Sequence, residues 1–415
     1  MKKRITACLL AGVFIVSLMA GCVDDDNSPA ALNQPEALNQ PAAPIEAIPF
    51  SHSSDFETAL FDAMPTDENY MISPFSLRMA LVMAANGADG ETQAEILAAL
   101  GIDDLDAFNR AAAAFIASSN ANELVEFNIA NSIWLNEDFF GCDEFGFSED
   151  YKRVIADYFA GIAERVNAQD GADIVNAWIS EQTRDRINDV VREDVFDVDS
   201  DVIALLVNAI YFNGNWAVPF DTDLTSDDIF TDRNGVESTI PFMVQTGRFS
   251  FYENDYFKML AKSYEDENIR MYFVLPKVDE RLPFYMFENA IDNMQRRDVK
   301  LRLPRFTTES LHDNLVDILQ DMGIQKAFDS DADFLNMFTE IPFGLSIFIG
   351  DILQKTFIEV DEEGTEAAAA TVIEMVPESE PPPPIPFYCD RPFIYFIRDD
   401  ATNNILFMGE FAFAE

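Results

Sequence analysis

Positive charge is scarce in this chain of 415 residues: 27 lysines and arginines face 74 aspartates and glutamates, for a formal net charge of −47. Such a surface repels phosphate backbones and sulfated polyanions, which argues against nucleic acid and heparin-like partners. Histidine is almost absent. Only His52 and His312 occur, neither beside a Gly-x-Ser-x-Gly signature, so a hydrolytic triad has no recognisable imidazole base. His312, in Ser310-Leu-His-Asp313, is expected as a surface or half-buried polar residue. The four cysteines show no Cys/His spacing that fits zinc, and no glycine-rich loop is built for a phosphate. Paired carboxylates are so common here that no pair points to acid–base chemistry. No enzyme and no cofactor is legible.

What is present begins with a core. Hydrophobic residues make up 48% of the chain and phenylalanine alone contributes 37, ample for one large domain. No linker-like change in composition interrupts residues 50–415. The N-terminus differs: Lys2-Lys3-Arg4 and the apolar run Ile5 to Ala20 read as a secretory signal over residues 1–21, too short for a comfortable span. It ends in Leu18-Met-Ala-Gly-Cys22, which resembles a prokaryotic lipobox and implies lipidation of Cys22; an ordinary cleaved signal is the alternative. Residues 22–49 are polar and repeat Ala-Leu-Asn-Gln-Pro at 31–35 and 37–41, a composition that tethers rather than folds. The expected location is extracytoplasmic, with the membrane reached through the lipid anchor alone. Of the remaining cysteines, Cys142 and Cys389, export permits a disulfide that sequence spacing does not establish.

Periodicity places the elements coarsely. Leu77, Ala80, Leu81 and Ala84 mark a helix over 76–86. Thr92-Gln-Ala-Glu95 reads as a capping box for a helix reaching Leu100, and Ile174, Trp178 and Ile187 suggest another over 172–188, its stripe in the core. Leu205 to Phe212 is a near-continuous apolar run, as for a strand covered on both faces, and Met271–Leu275 and Ile394–Ile397 are similar. Helices and strands mix without regular βαβ alternation, so the class is α+β.

The most distinctive stretch is Ile358 to Thr371, whose four consecutive alanines are hard to justify by core packing. Read as a strand, Thr365, Ala367, Ala369 and Thr371 share one face, with Glu366 on the other. All are small, and Gly364 before them permits a hinge. Pro381 to Pro384 follow, residues that donate no ladder hydrogen bonds and keep the chain extended.

This segment resembles the hinge and reactive-centre loop of serpins, inhibitors that trap serine proteases by inserting the loop into their own central sheet. The hinge is Glu362-Glu363-Gly364-Thr365-Glu366-Ala367-Ala368-Ala369-Ala370-Thr371, within a loop of about 362–386. Counting fourteen residues on from Gly364, the resemblance implies cleavage between Glu378 and Ser379; attack after Met375 or Val376 is the alternative register. It spans roughly residues 50–415. Asn69 to Leu77, Asn208 to Trp216, Leu303-Pro-Arg-Phe306, Asp321-Met-Gly323, Ala327-Phe328, Arg391 to Arg398 and Ile405 to Gly409 are similar to serpin segments in the family's order. The resemblance implies three β-sheets with eight to nine helices, a shutter containing Ser73, Ser76 and Asn208, and Trp216 at the breach. Where many serpins carry a shutter histidine this chain has Gln354, which leaves the control of sheet opening in question. The implied partner is a serine protease met by a monomer: glutamate-specific if Glu378 precedes the cut, elastase-, chymotrypsin- or subtilisin-like if the register shifts. A non-inhibitory serpin that binds or stores, or a structural surface lipoprotein, are the rival readings.

Overall fold

The computed structural model describes residues 53–139, 146–196, 204–339, 347–365 and 382–414. Helices α1 (Ser53–Ala63) and α2 (Pro74–Gly87) open the fold. Helix α2 starts because the Ser73 hydroxyl accepts from the Ser76 N–H at 3.2 Å and Pro74 sits in the first turn, where no N–H is needed. It is buried on all sides except at Asn86, as expected of a helix apolar all round. Helix α3 (Gly90–Ala99) begins earlier than its capping-box motif implies, with Asp89 as N-cap. Thr92 lies inside the helix, its hydroxyl accepting from Asp333 N, and Glu95 instead accepts from the Gln325 and Lys326 amides.

Helices α4 (Leu105–Asn120), α5 (Glu149–Phe159), α6 (Gly171–Gln182), α7 (Tyr285–Ile291) and α8 (Leu315–Asp321) bring the number among the described residues to eight. In α6 the buried stripe is Val175 and Ile179, one residue on from the predicted Ile174, which is exposed. Trp178 packs edge-on against Trp134, the ring centroids 5.9 Å apart.

The strands are β1 (Tyr70–Ile72), β2 (Val125–Asn136), β3 (Ile162–Val166), β4 (Ala204–Asn215) and β5 (Ser226–Thr231). There follow β6 (Glu237–Glu253), β7 (Phe257–Ser263), β8 (Ile269–Pro276), β9 (Gln295–Pro304) and β10 (Phe306–His312). The last five are β11 (Ile349–Val360), β12 (Gly364–Thr365), β13 (Ile385–Tyr388), β14 (Phe393–Asp399) and β15 (Asn404–Phe411). Six strands form one sheet in the order β10-β11-β4-β2-β3, with β12 added on β4. The other nine run β1-β15-β14-β8-β7-β6-β9-β13, with β5 on β6. Three separate sheets are expected; hydrogen bonding joins two of them because β6 is long enough to serve both. Its Glu237–Phe242 stretch pairs with β5, Phe242–Phe251 with β9, and Ser250–Glu253 with β7, so Ser250 and Phe251 are paired on both edges.

The larger core fills the space around α2 and both sheets, and a smaller one lies between α6 and the six-stranded sheet, built on Val175, Ile179, Leu205, Val207 and Leu353. Every residue from Ala204 to Phe212 is buried, so β4 is covered on both faces as its apolar run requires. Cys389 is a buried free thiol, and burial pushes its pKa up; Cys142 lies outside the described residues.

Candidate functional site

The site is a seam. Strands β11 and β4 are parallel neighbours in the middle of the six-stranded sheet, paired from Ile349↔Ala204 to Thr356↔Ile210. Beyond Ile210 their ladder ends, and the next residues of β4 take a different partner: Gly214 pairs with Thr365 and Asn215 with Gly364, antiparallel. Because the other edge of Gly214 is already paired with Val125 of β2, β12 occupies the β11 side. The chain leaving β11 has therefore turned back and entered the sheet by two residues.

A cluster of buried polar side chains locks the seam lower down. Gln354 on β11 accepts from Ser73 N at 2.7 Å and donates to Ser73 O at 3.1 Å and to Asn208 Oδ1 on β4 at 2.5 Å. Asn208 in turn donates to the hydroxyl of Ser76 and to Asn131 Oδ1 on β2. The Ser73 hydroxyl donates to Leu406 O at 2.6 Å. Ser73, Ser76, Asn131, Asn208 and Gln354 are all fully buried, so each hydrogen bond matters: a buried polar group left unpaired costs about 1–3 kcal/mol. The four sequence-predicted shutter residues are thus brought together. Asn131 was not singled out from sequence, where nothing distinguishes it from other asparagines.

His312, expected at the surface or half-buried, is instead buried. Strand β10 alternates buried and exposed from Phe306 onward, which turns His312 inward with Thr308 and Ser310. It pairs across the ladder with Gln354, and its Nε2 lies 2.8 Å from Met71 O, the carbonyl that also accepts from the Thr356 hydroxyl. An imidazole is thus present one strand away from position 354. Burial lowers its pKa, against opposing contributions from Met71 O and Asp313. The period-two pattern of Phe306, Thr308, Ser310 and His312 was the available signal.

At the upper end of the seam the base of the loop is held by fixed donors. Trp216 stacks on Tyr264 with ring centroids 4.5 Å apart. Its indole donates to Asp361 O at 3.0 Å, its backbone N–H to Glu363 O at 2.8 Å, and Phe220 N to Glu362 O at 2.8 Å. The Glu362 carboxylate is gripped bidentately by Arg305 at 2.7 and 2.6 Å and receives the Thr225 hydroxyl. Burial works to raise its pKa, but Arg305 and Thr225 together hold it below the usual carboxylate range. The buried Thr365 hydroxyl lies 3.2 Å from that of Tyr264. Gly364 is required by close approach: a Cβ there would sit 2.3 Å from Gly214 O. Arg305, Thr225 and Tyr264 were missed in sequence because their partners are distant in the chain.

Of the remaining predicted residues, Glu366, Ala367, Ala368, Ala369, Ala370 and Thr371 of the hinge, the bonds after Met375, Val376 and Glu378 with Ser379, and Cys22 lie outside the described residues. Among the described residues of the seam, the one imidazole, His312, is bonded through Nε2 to the Met71 carbonyl and not to a hydroxyl.

A family model described as "Serpin (serine protease inhibitor)" matches residues 51–413. A serpin-like protein of Thermococcus kodakarensis is 34% identical over 359 residues, covering 83% of this chain and 80% of that one. Antitrypsin of Bombyx mori is 31% identical over 359 residues, covering 83% and 88%. Among solved structures, Tengpin, a thermophilic serpin in its native state, is similar with a TM-score of 0.78 at 29% identity, covering 88% and 93%. Human thyroxine-binding globulin complexed with thyroxine shares the fold at 24% identity, TM-score 0.75, covering 87% and 98%.

Proposed function

Because this chain belongs to the serpin family, we propose that it is an inhibitory serpin, a suicide substrate that traps a serine protease by taking its own cut loop into the six-stranded sheet. The observation that carries this reading is the seat of Gly364 and Thr365 on β4, where the β11–β4 ladder has ended. An arm continuing from Thr365 antiparallel to β4 passes between β11 and β4 and replaces one parallel ladder with two antiparallel ones. Parallel pairing is the weaker per residue, so insertion is downhill. The intact loop is prevented from completing it by its far end, where β13 is paired with β9 of the other sheet. Cutting the loop removes that restraint, the family's known device for releasing stored strain.

The proposed bond is Glu378–Ser379. The protease serine oxygen attacks the Glu378 carbonyl, the C–N bond breaks, and the Ser379 amine leaves with a proton from the protease's histidine. Insertion of the Gly364–Glu378 arm then carries the acyl-enzyme away before water resolves it. Glutamate before the cut suits a protease whose pocket offers basic or polar donors, hence a glutamate-specific endopeptidase. Met375 or Val376 would instead direct it to elastase-, chymotrypsin- or subtilisin-like enzymes.

Incubation with a panel of such proteases tests this directly. An SDS-resistant covalent complex, with mass mapping that places the new terminus at Ser379, is the expected result. Cleavage without complex and without a rise in melting temperature would overturn inhibition in favour of a binding or storage role. We further propose that Cys22 anchors the protein outside the cytoplasm. Cys22→Ala should move it from the membrane to the soluble extracytoplasmic fraction, and unchanged partitioning would refute the anchor.

A further inference from the structure

Lys262 of β7 is one of only nine lysines in the chain, yet it is 3% exposed. No carboxylate among the described residues pairs with it. Its ammonium group lies 4.4 Å from the ring centre of Phe220, 5.0 Å from Trp216 and 6.0 Å from Phe249, and it donates to Val218 O at 2.7 Å and Gln245 Oε1 at 2.6 Å. Gln245 is thereby oriented to donate its own amide to Val218 O at 3.1 Å and Pro219 O at 2.9 Å. Burial works against a charge here, lowering the Lys262 pKa well below its ordinary value, with only neutral acceptors and ring faces to offset it. A methionine would fill the same space without a charge.

What the ammonium holds is the segment Trp216–Phe220. Two of its carbonyls, Val218 O and Pro219 O, point to Lys262 and Gln245. Two of its amides, Trp216 N and Phe220 N, point the other way and hold Glu363 O and Glu362 O. The segment is therefore a bracket, fixed on one side to strands β6 and β7 and supporting the base of the loop on the other. Trp216 belongs to both sides: one contact is with the Lys262 ammonium, another with Asp361 O through the indole N–H. Residues 361–363 form the turn from which the arm must emerge in register with β4.

We propose that Lys262, with Gln245, is a positioning residue for loop insertion: by fixing the Trp216–Phe220 bracket it aligns the arm with β4, so that insertion outruns hydrolysis of the acyl-enzyme. This rests on the inhibitory reading above and assigns a part of that device to a side chain outside the loop and the shutter.

The test compares wild type with Lys262→Met and Gln245→Leu in the full chain. Two readouts are the stoichiometry of inhibition and, in a background carrying Trp134→Phe and Trp178→Phe, the rate of Trp216 fluorescence change after the loop is cut by a protease that is not trapped. Initial loop cleavage is the internal reference. Lys262→Met should raise the stoichiometry at least threefold and slow the fluorescence change, whereas a merely structural role would shift the melting temperature and leave the partition unmoved. Gln245→Leu should act in the same direction, and the double variant should add little to either, since both residues serve one bracket. If Lys262→Met does not fold, Gln245→Leu carries the test alone. Wild-type partition and insertion rate in the variants overturn the Lys262 assignment only. A wild type that neither traps a protease nor inserts its cut loop overturns the inhibitory reading, and this assignment with it.

Discussion

Thr365→Arg is the sharpest perturbation of the seam. Thr365 is 2% exposed, enters the sheet opposite Gly214, and has the Tyr264 hydroxyl 3.2 Å from its own. The nearby carboxylate, Glu362, is already taken by Arg305. An arginine placed there cannot shed its proton to escape, because its guanidinium stays charged at any accessible pH. Leaving that charge buried and unpaired costs about 3–5 kcal/mol. Before cleavage the variant avoids most of this by withdrawing the two residues of β12 and losing about 1–2 kcal/mol of hydrogen bonding. In the proposed insertion it cannot, since the rest of the arm would have to follow through position 365. The difference, about 3 kcal/mol, slows insertion by about a hundredfold. The protease should still cut the loop at a similar initial rate but leave active, with the inhibitor consumed as substrate; titrating residual protease activity against inhibitor and counting complex on an SDS gel measures this. Thr365→Ser, which keeps a small hydroxyl, should retain trapping, and so should Glu366→Arg, which the alternation expected from sequence would turn away from the sheet's inner face in an inserted strand. Wild-type stoichiometry in Thr365→Arg would refute insertion through this seam.

Three further outcomes follow from particular contacts. Gly364→Ala drives a methyl into Gly214 O and Asn215 Cα, at 2.3 and 2.6 Å, and should destabilise the seated hinge by about 1–3 kcal/mol; protease susceptibility of the Glu363–Thr365 region should rise, and an unchanged digestion rate would count against the close approach. Gln354→Leu strands Ser73 N and Asn208 Oδ1 in the buried shutter and should cost about 2–5 kcal/mol in urea unfolding, whereas loss of under 0.5 kcal/mol, roughly a surface effect, would show that the cluster contributes little. The Glu288 carboxyl of α7 is pushed up to about 7, by burial first and by Glu57 second. A raised acid stabilises the fold fully below about pH 4.5 and loses that contribution as pH rises through 7, up to about 3 kcal/mol. Melting curves between pH 4.5 and 8 should fall accordingly in wild type and flatten in Glu288→Gln; parallel curves would refute the shift.

Sequence alone determined whatever depends on neighbours along the chain. The apolar spacing of α2 from Leu77 to Ala84 and the apolar run of β4 are local, and each folds as its pattern implies. The resemblance of its motifs to serpin segments carried the family and implied that Ser73, Ser76, Asn208 and Gln354 would lie together, as they do. Local patterns misled where a tertiary contact outweighed them: Asp89 took the cap expected of Thr92, whose hydroxyl was needed by Asp333 N, and the stripe of α6 turned by one residue to bury Val175 and Ile179 rather than Ile174. Only tertiary structure decided that Gly364 and Thr365 are already seated on β4 and that Arg305 grips Glu362 from 57 residues away. It also decided that His312 faces Gln354 across a ladder and that Lys262 is buried among aromatic rings. Each of these is a pairing between distant segments, where a polar side chain's burial and protonation are fixed by what the other segment brings. No periodicity within a single segment carries that information.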